Sequence, residues 1–516
     1  MLLRLFRRTS LFIGVLLLLA LLVAIAMLLV RLTLVSLSDP VTDQVHLEAK
    51  QSYLASLPAA DPNAPNIVII FFDDLGWGDL SSYGNALIET PQIDAIAAEG
   101  LRMTSFYSAS PVCTPSRAGL LTGRFPPRTR TDQHVFFPDD HAIGLWRRVM
   151  GRANALPREE ITVAEVLQSA GYRTGLIGKW HLGEAAGHRP NDFGFESFYG
   201  VLFSNDMFPF NLYRNDEVLI EDQRKGSLIA AERDEASPLP GSGIDQRALT
   251  GMYTDEAISF LEKADDRPFF LYLAHSFPHV PLYASEDFAN TSRGGTYGDV
   301  VEDLDRSTGA VMAALARLGL AENTLVIITS DNGADYTGSP GYLRGRKGEV
   351  LEGGQRVPMI ARWPGKIAPG RVSSEMAMAT DLFPTLLNYA SLPLPQDRIV
   401  DGRSLTGYFS GEAPSPHTYL YYFPVTGPVP IAVRNDRLKL LENSGDLGRN
   451  RNHVTLLTGD AEAHDVQNLY PAEAGALRQA LADMQQQITE NNRGWIEYSG
   501  TIDIRHELAS RPTEIN

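Results

Sequence analysis

The sequence predicts an α/β fold. A large mixed, mostly parallel sheet is sandwiched by helices, with a smaller C-terminal α+β subdomain and an N-terminal transmembrane helix. Three observations carry this. Two continuous apolar runs, Asn66–Phe72 (NIVIIFF) and Thr324–Ser330 (TLVIITS), each stop at acidic residues, and runs apolar on both faces belong to strands covered from both sides. Helical patterns lie between them, and alternation of strand and helix means a layered sheet. After about residue 400 the chain changes to short strand-like pieces and then one helix over Ala472–Thr489.

Taken in chain order, Leu11–Val30 carries no charge and as a helix would span about 30 Å. Arg4, Arg7 and Arg8 precede it, which places the N-terminus in the cytoplasm and the rest across the membrane. Ala24-Ile25-Ala26 resembles a cleavage site but lies inside the apolar run, so residues 1–34 read as an uncleaved signal anchor rather than a removed signal peptide. Residues 35–64 read as a tether, ending in the Pro- and Ala-rich stretch Leu57–Pro65. Residues 65–400 then form a catalytic domain and 401–516 the α+β subdomain.

Within the main domain, Arg173–Gly178 and Pro268–Ala274 are weaker strand candidates. Thr90 is placed to cap a helix that begins at Pro91 and stops at Gly100. Thr162 and Glu165 have the spacing of a capping box for a helix ending at Gly171. Val301, Leu304, Thr308, Val311, Leu315 and Leu318 share one face of a longer helix that stops at Gly319. Ligands of such sheets bind outside the carboxyl ends of the strands, where the acidic pairs fall.

Composition narrows the function. The chain has 516 residues, 44% apolar and 21% charged, which excludes a disordered, collagenous or coiled-coil protein. A net charge of −17 argues against a nucleic-acid partner and requires a local basic cluster for any anionic ligand. A single cysteine excludes a disulfide framework and a Cys-rich zinc site.

Asp73, Asp74, Asp331 and Asn332 offer three carboxylates and one amide oxygen from two strand ends. Oxygen donors with no soft atom suit Ca²⁺ or Mg²⁺ rather than zinc. Either pair alone is an ordinary polar turn, but four such donors gathered at two buried strand ends would repel without a cation. Cys113 lies in Cys113-Thr114-Pro115-Ser116-Arg117, and Pro115 suits a first helical turn, so the cysteine falls at a helix N-terminus that favours anions. Both a buried small hydrophobe and a thiolate with its pKa depressed by Arg117 remain open for it. Lys179-Trp180-His181 follows a strand, His279 lies in a Pro-flanked segment, and Lys347 sits among glycines that allow close approach of backbone and ligand.

In order along the chain, NIVIIFFDDLGWGDL, CTPSRAGLLTGR, GKWHLG, the strand leading to His279, and ITSDNG followed by RKGEVLEGGQRVP resemble type I sulfatases. These belong to the alkaline phosphatase superfamily, and the resemblance covers about residues 65–420. It implies an alkaline phosphatase-like fold and hydrolysis of sulfate monoesters, in an arylsulfatase-like enzyme. It also implies that a formylglycine-generating maturation enzyme oxidises Cys113 to formylglycine, whose hydrated gem-diol is the nucleophile. Asp73, Asp74, Asp331, Asn332 and an oxygen of the modified Cys113 carry over as Ca²⁺ ligands, with Mg²⁺ the alternative. Asp331 would help to activate the attacking hydroxyl, and His279 and Lys347 would assist the leaving oxygen. His181 would take a proton from the second hydroxyl, and Arg117 and Lys179 would bind sulfate and diol oxygens. Ser204, in Phe203-Ser204-Asn205-Asp206, matches the family's substrate-binding serine.

The implied partners are a sulfated small-molecule or carbohydrate substrate, the maturation enzyme and the membrane. One cysteine and one glycosylation sequon, Asn290-Thr291-Ser292, point to the periplasmic face of a bacterial inner membrane. Departures from the family are Phe72, where a small residue is usual, and stretches 130–160 and 206–250, which match nothing transferable and are expected to shape substrate choice. Two rivals remain: a phosphodiesterase or phosphonate monoester hydrolase of the same fold, disfavoured by the intact Ser116, and a silent relative that only binds sulfated glycans.

Overall fold

The computed structural model describes residues 13–27, 29, 42–61, 63–139, 141–222, 243–263, 265–442, 453–456, 462 and 464–496. Its strands in chain order are β1 (Asn66–Phe72), β2 (Leu101–Tyr107), β3 (Arg173–Lys179), β4 (Ser197–Val201), β5 (Leu212–Arg214), β6 (Glu217–Ile220), β7 (Phe269–Ala274), β8 (Thr324–Ser330), β9 (Arg356–Arg362), β10 (Arg371–Ser373) and β11 (Ala377–Met378). They form one sheet of order β10-β2-β9-β8-β1-β7-β3-β4-β5-β6, with β11 also on β2. Its centre, β8-β1-β7-β3-β4, is parallel, and β9 runs antiparallel to both β2 and β8. The sheet is therefore mixed and mostly parallel at its core, as expected.

The continuous apolar runs are continuous because both faces are covered. Every residue of β1 and of β8 is buried. Ile67, Ile69 and Phe71 enter one apolar cluster while Val68, Ile70 and Phe72 enter the one across the sheet. Successive side chains point to opposite faces, so a single strand serves two cores.

The helices the sequence signals predicted are present, and one of their expected caps is not. The capping box of Thr162 and Glu165 is present on the Val163–Ser169 helix. The long helix spans Gly295–Arg317 and buries Val301, Leu304, Thr308, Val311 and Leu315. Thr90 precedes the Pro91–Ala98 helix but makes no side-chain cap. Its hydroxyl bonds Ser81 and Asp94 instead, and the helix's first N–H groups, at Gln92 and Ile93, donate to Asp305 of the long helix at 3.1 and 2.8 Å. A buried carboxylate from another element thus replaces the local cap.

A second sheet is antiparallel, in the order β12 (Leu420–Tyr422), β13 (Ala432–Arg434), β14 (Leu438–Leu441) and β15 (His453–Leu456). The Pro471–Glu490 helix packs Ala474, Leu477, Ala480 and Leu481 against Val433, Leu438 and Leu440 of this sheet.

The N-terminal segment is described only in part. Residues 13–27 are helical and exposed, but among the described residues no helix is long and apolar enough to cross a membrane. The remainder of the expected anchor lies outside the described residues. Part of the expected tether is ordered secondary structure, a helix over Gln44–Ala55. Lys50 holds it down, pairing with Glu165 at 2.5 Å and donating to the carbonyls of Arg158 and Glu160 at 2.8 and 2.7 Å.

Candidate active site

The site grows out of the register of β1 and β8. Phe72 pairs with Ser330 in a parallel ladder, so Asp73-Asp74 and Asp331-Asn332 leave the sheet side by side. Asp74 turns at φ +69°, a left-handed conformation that Asp tolerates better than bulky residues. Its N–H donates to Asp331 at 3.1 Å, and the next, of Leu75, donates to the Ser330 hydroxyl at 2.9 Å. The acidic pairs are thereby locked to one another.

Cys113 is the first residue of the Cys113–Thr122 helix, all of which is buried. The thiol donates to Asp73 at 3.4 Å. Burial, and next the Asp331 carboxylate, push it well above the usual thiol range despite the charges of Lys179 and Lys347, which disfavours the thiolate. One turn on, Arg117 donates Nε and Nη2 to Asp331 at 3.0 and 2.9 Å and Nη1 to the Lys179 carbonyl at 2.9 Å. The resemblance implies that this guanidinium binds sulfate and diol oxygens; in the structure two of its N–H groups meet on one Asp331 oxygen.

Lys179 ends β3, its side chain fully buried, with Nζ 2.5 Å from Asp73 and 3.1 Å from the Ser204 hydroxyl. Lys347 reaches Asp74 at 2.8 Å from the opposite side and is 22% exposed, the more open of the two ammonium groups. His279 donates from Nδ1 to the Val280 carbonyl and Asn205 Oδ1 at 2.6 and 3.0 Å. That leaves Nε2 facing Asp74 at 3.7 Å. His181 stands in a left-handed conformation, φ +64°, and contacts the Phe136 carbonyl through Nε2 at 3.0 Å. A carbonyl only accepts, so Nε2 holds the proton, and buried Nδ1 is left without a partner. Burial, then the charges of Lys179 and Arg117, hold this imidazole well below the usual histidine range. It is a neutral base with a free lone pair.

The carboxylates divide. Burial would raise Asp73, but Lys179 and Arg117 hold it well below the usual carboxylate range. Burial, and then the charge on Asp73, push Asp331 up to about 7 despite Arg117. Donor atoms of Asp73, Asp74, Cys113 and Asp331 lie within 4.8 Å of one another. Asn332 donates to Asp74 at 2.7 Å, while its Oδ1 is buried without any partner. Crowded carboxylates beside an orphaned amide oxygen fit a hard divalent cation.

All eleven predicted residues thus meet at one end of the sheet. Two that position the site were not singled out. Asn205 orients His279, and its only sequence signal is adjacency to Ser204. Asp79 accepts from Gly76 N–H, Ser339 N–H and the Tyr297 hydroxyl at 2.6, 2.7 and 2.6 Å, fixing the loop beyond Asp331. Burial pushes it up to about 7. Its near partner lies three residues back along the chain; the distant ones leave no local trace.

Comparison with known proteins gives one answer. A family model described as Sulfatase matches residues 65–392, and one described as N-sulphoglucosamine sulphohydrolase, C-terminal, matches residues 346–493. The chain is 40% identical over 366 residues to the N-acetylgalactosamine-6-sulfatase of Rattus norvegicus, covering 69% of this chain and 67% of that one. It is 40% identical over 397 residues to human (Homo sapiens) arylsulfatase A, covering 73% and 74%. The solved structure of Ps i-CgsB in complex with k-i-k-neocarrahexaose superposes with a TM-score of 0.69 at 26% identity, covering 87% of this chain and 98% of that one.

Proposed function

We propose that this chain, which belongs to the sulfatase family and hydrolyses sulfate monoesters, acts on sulfated carbohydrates, with Cys113 matured to formylglycine beside a bound calcium ion. The observation that carries the mechanism is the placement of the one cysteine. It is fully enclosed by three carboxylates and two ammonium groups, and its thiol is held protonated. A thiol so held is a poor nucleophile. The hydrated aldehyde of formylglycine would supply a hydroxyl nucleophile at the same spot. Calcium, or magnesium in its place, would be held by Asp73, Asp74, Asp331, Asn332 and an oxygen of the matured residue, and would supply positive charge to the sulfate oxygens.

The protein's own groups divide the remaining work. Lys179 and Ser204, in contact at 3.1 Å, are placed to hold the sulfate group. Lys347 and His279 approach Asp74 from the open side, where a departing alcohol oxygen would lie. Preorganised cations stabilise charge developing on that oxygen. His181 accepts a proton at Nδ1, the one ring nitrogen left free. Arg117, engaged with Asp331, orients that carboxylate.

A carbohydrate substrate is supported by the relative named N-acetylgalactosamine-6-sulfatase and by the neocarrahexaose bound to a structural neighbour. The uncharged N-terminal run preceded by arginines supports an exported enzyme anchored at the periplasmic face of a bacterial inner membrane, matured by a formylglycine-generating enzyme. The test is sulfate release from a sulfated monosaccharide and from 4-nitrophenyl sulfate, with mass spectrometry of the peptide ending at Arg117. An aldehyde in place of the thiol, with turnover of both esters, is expected. Turnover of phosphate diesters but not sulfate esters would sink the reading.

A further inference from the structure

Lys347 rides at the tip of a loop whose base is gripped from the second sheet. The loop closes on itself where Gly353 N–H donates to the Arg344 carbonyl at 2.6 Å. Its tip is pinned against the site by two backbone bonds, Lys347 N–H to Ala334 and Gly348 N–H to Pro111, both 2.9 Å. The turn is tight enough that a Cβ on Gly354 would lie 2.0 Å from the Glu349 carbonyl oxygen.

The base of this loop rests on Lys439 of β14. Its ammonium donates to the Val350 carbonyl at 2.6 Å and to Glu352 at 3.1 Å, and pairs with Glu462 at 2.9 Å. Glu462 in turn accepts from the Glu352 N–H at 2.9 Å, and its own carbonyl accepts from Arg344 at 2.9 Å. Both ends of the loop therefore meet Glu462, one through its carboxylate and the other through its backbone carbonyl. Tyr107 and Arg434 contact the far oxygen of Glu352 at 2.6 and 3.2 Å. The Lys439 and Glu462 side chains are 0% exposed and Glu352 is 2% exposed. Charges so deeply buried are costly and are retained where they fix a geometry. The geometry fixed here is that of the segment presenting Lys347.

We propose that Lys439, together with Glu462, is a positioning residue that sets where the Lys347 ammonium meets the departing oxygen. This rests on the role given to Lys347 above. A small displacement of a catalytic group costs rate steeply, and the cost depends on the ester. An alcohol of high pKa leaves with much negative charge and needs the ammonium; a nitrophenol leaves with little help. Mispositioning of Lys347 thus has a signature that general loosening of the fold lacks.

The experiment compares matured, full-length Lys439→Gln, Lys439→Arg and Lys347→Ala across sulfate esters running from 4-nitrophenyl sulfate to a sugar sulfate. For Lys439→Gln, kcat is expected to fall on the order of tenfold on the sugar sulfate and less than about twofold on the nitrophenyl ester, with KM unchanged. Lys439→Arg, which keeps the charge, recovers most of the loss. Should Lys439→Gln fail to fold, Glu462→Gln carries the same comparison with a smaller change. Hydrogen exchange gives a readout independent of turnover, since the amides of Lys347 and Gly348 should exchange faster in either variant, matured or not. Equal loss on every ester, or unchanged exchange at those two amides in a folded variant, overturns the proposal. Faster exchange with no ester dependence in Lys347→Ala itself would keep the positioning and remove the assigned role of Lys347.

Discussion

The charges around Cys113 and those around Trp495 are both buried, yet they are arranged on different principles. At Trp495, signs alternate. Glu160 receives Arg124 on one oxygen at 2.7 Å and Arg493 on the other at 2.8 Å, and both guanidiniums lie over the indole, at 4.8 and 4.7 Å. Burial alone would raise the Glu160 pKa, but these arginines draw it below the ordinary glutamate value. At Cys113, three carboxylates crowd together, Asp331 is pushed up to about 7, and lone pairs on Asn332 and His181 go unused. Both clusters pair carboxylates with cations, but the one at Cys113 also crowds its carboxylates around an unused amide oxygen and an unused imidazole nitrogen, a demand for a cation and a proton.

That contrast can be broken, and the sharpest attempt is Cys113→Ala. It removes the nucleophile's precursor and should lower sulfate release by more than about 10⁴-fold while leaving the melting temperature near that of the parent. A large loss of stability instead would make Cys113 a structural residue. His181→Ala comes next, with kcat expected to fall on the order of 10² to 10⁴-fold. Activity retained within about twofold would show that the free Nδ1 lone pair takes no proton.

Glu160→Gln probes the other cluster. It should cost about 3–5 kcal/mol of stability by stranding buried arginines, with kcat of the folded fraction unchanged, as read by denaturant melts beside turnover. The sign of the pH dependence follows from the lowered pKa. Stability contributed by Glu160 is present above its unfolded value near 4.3 and is lost as pH falls through the lower folded value. Parent and Glu160→Gln should therefore converge in stability on acidification below about pH 4. The smallest effect is that of calcium on the folded state. At a hundredfold excess over its dissociation constant it should stabilise by about 2.7 kcal/mol, an increment expected to vanish in Asp331→Ala and persist in Glu160→Gln. Equal stabilisation of all three would mean that the ion binds elsewhere.

Much of the site was legible because its signals are local. Acidic pairs that end apolar runs, a cysteine two residues before a helix-compatible proline, and Lys-Trp-His after a strand can all be read within a few positions. The resemblance ordered them and added Ser204, which then falls 3.1 Å from Lys179. Where distant groups compete, local reading fails. Thr90 has the right residue type for a cap, but Ser81 and Asp94 engage its hydroxyl and Asp305 takes over the helix. Gln44–Ala55 was read as part of a tether because the Lys50–Glu165 pair that docks it joins residues more than a hundred positions apart.

The amino-acid order alone determined which central segments would be strands buried on both faces, where several of the helices would lie, and that oxygen-rich donors and one cysteine would be available. Periodicity and hydropathy act over one or two turns of chain, and these properties need nothing more. Only the tertiary structure decided that Phe72 pairs with Ser330 and so brings two acidic tips together, that Asn205 turns His279, and that Lys439 reaches the base of the Lys347 loop. Parallel pairing and burial depend on surfaces hundreds of residues apart, and it is burial that turns ordinary acids and bases into a protonated thiol, a neutral imidazole and a waiting cation site.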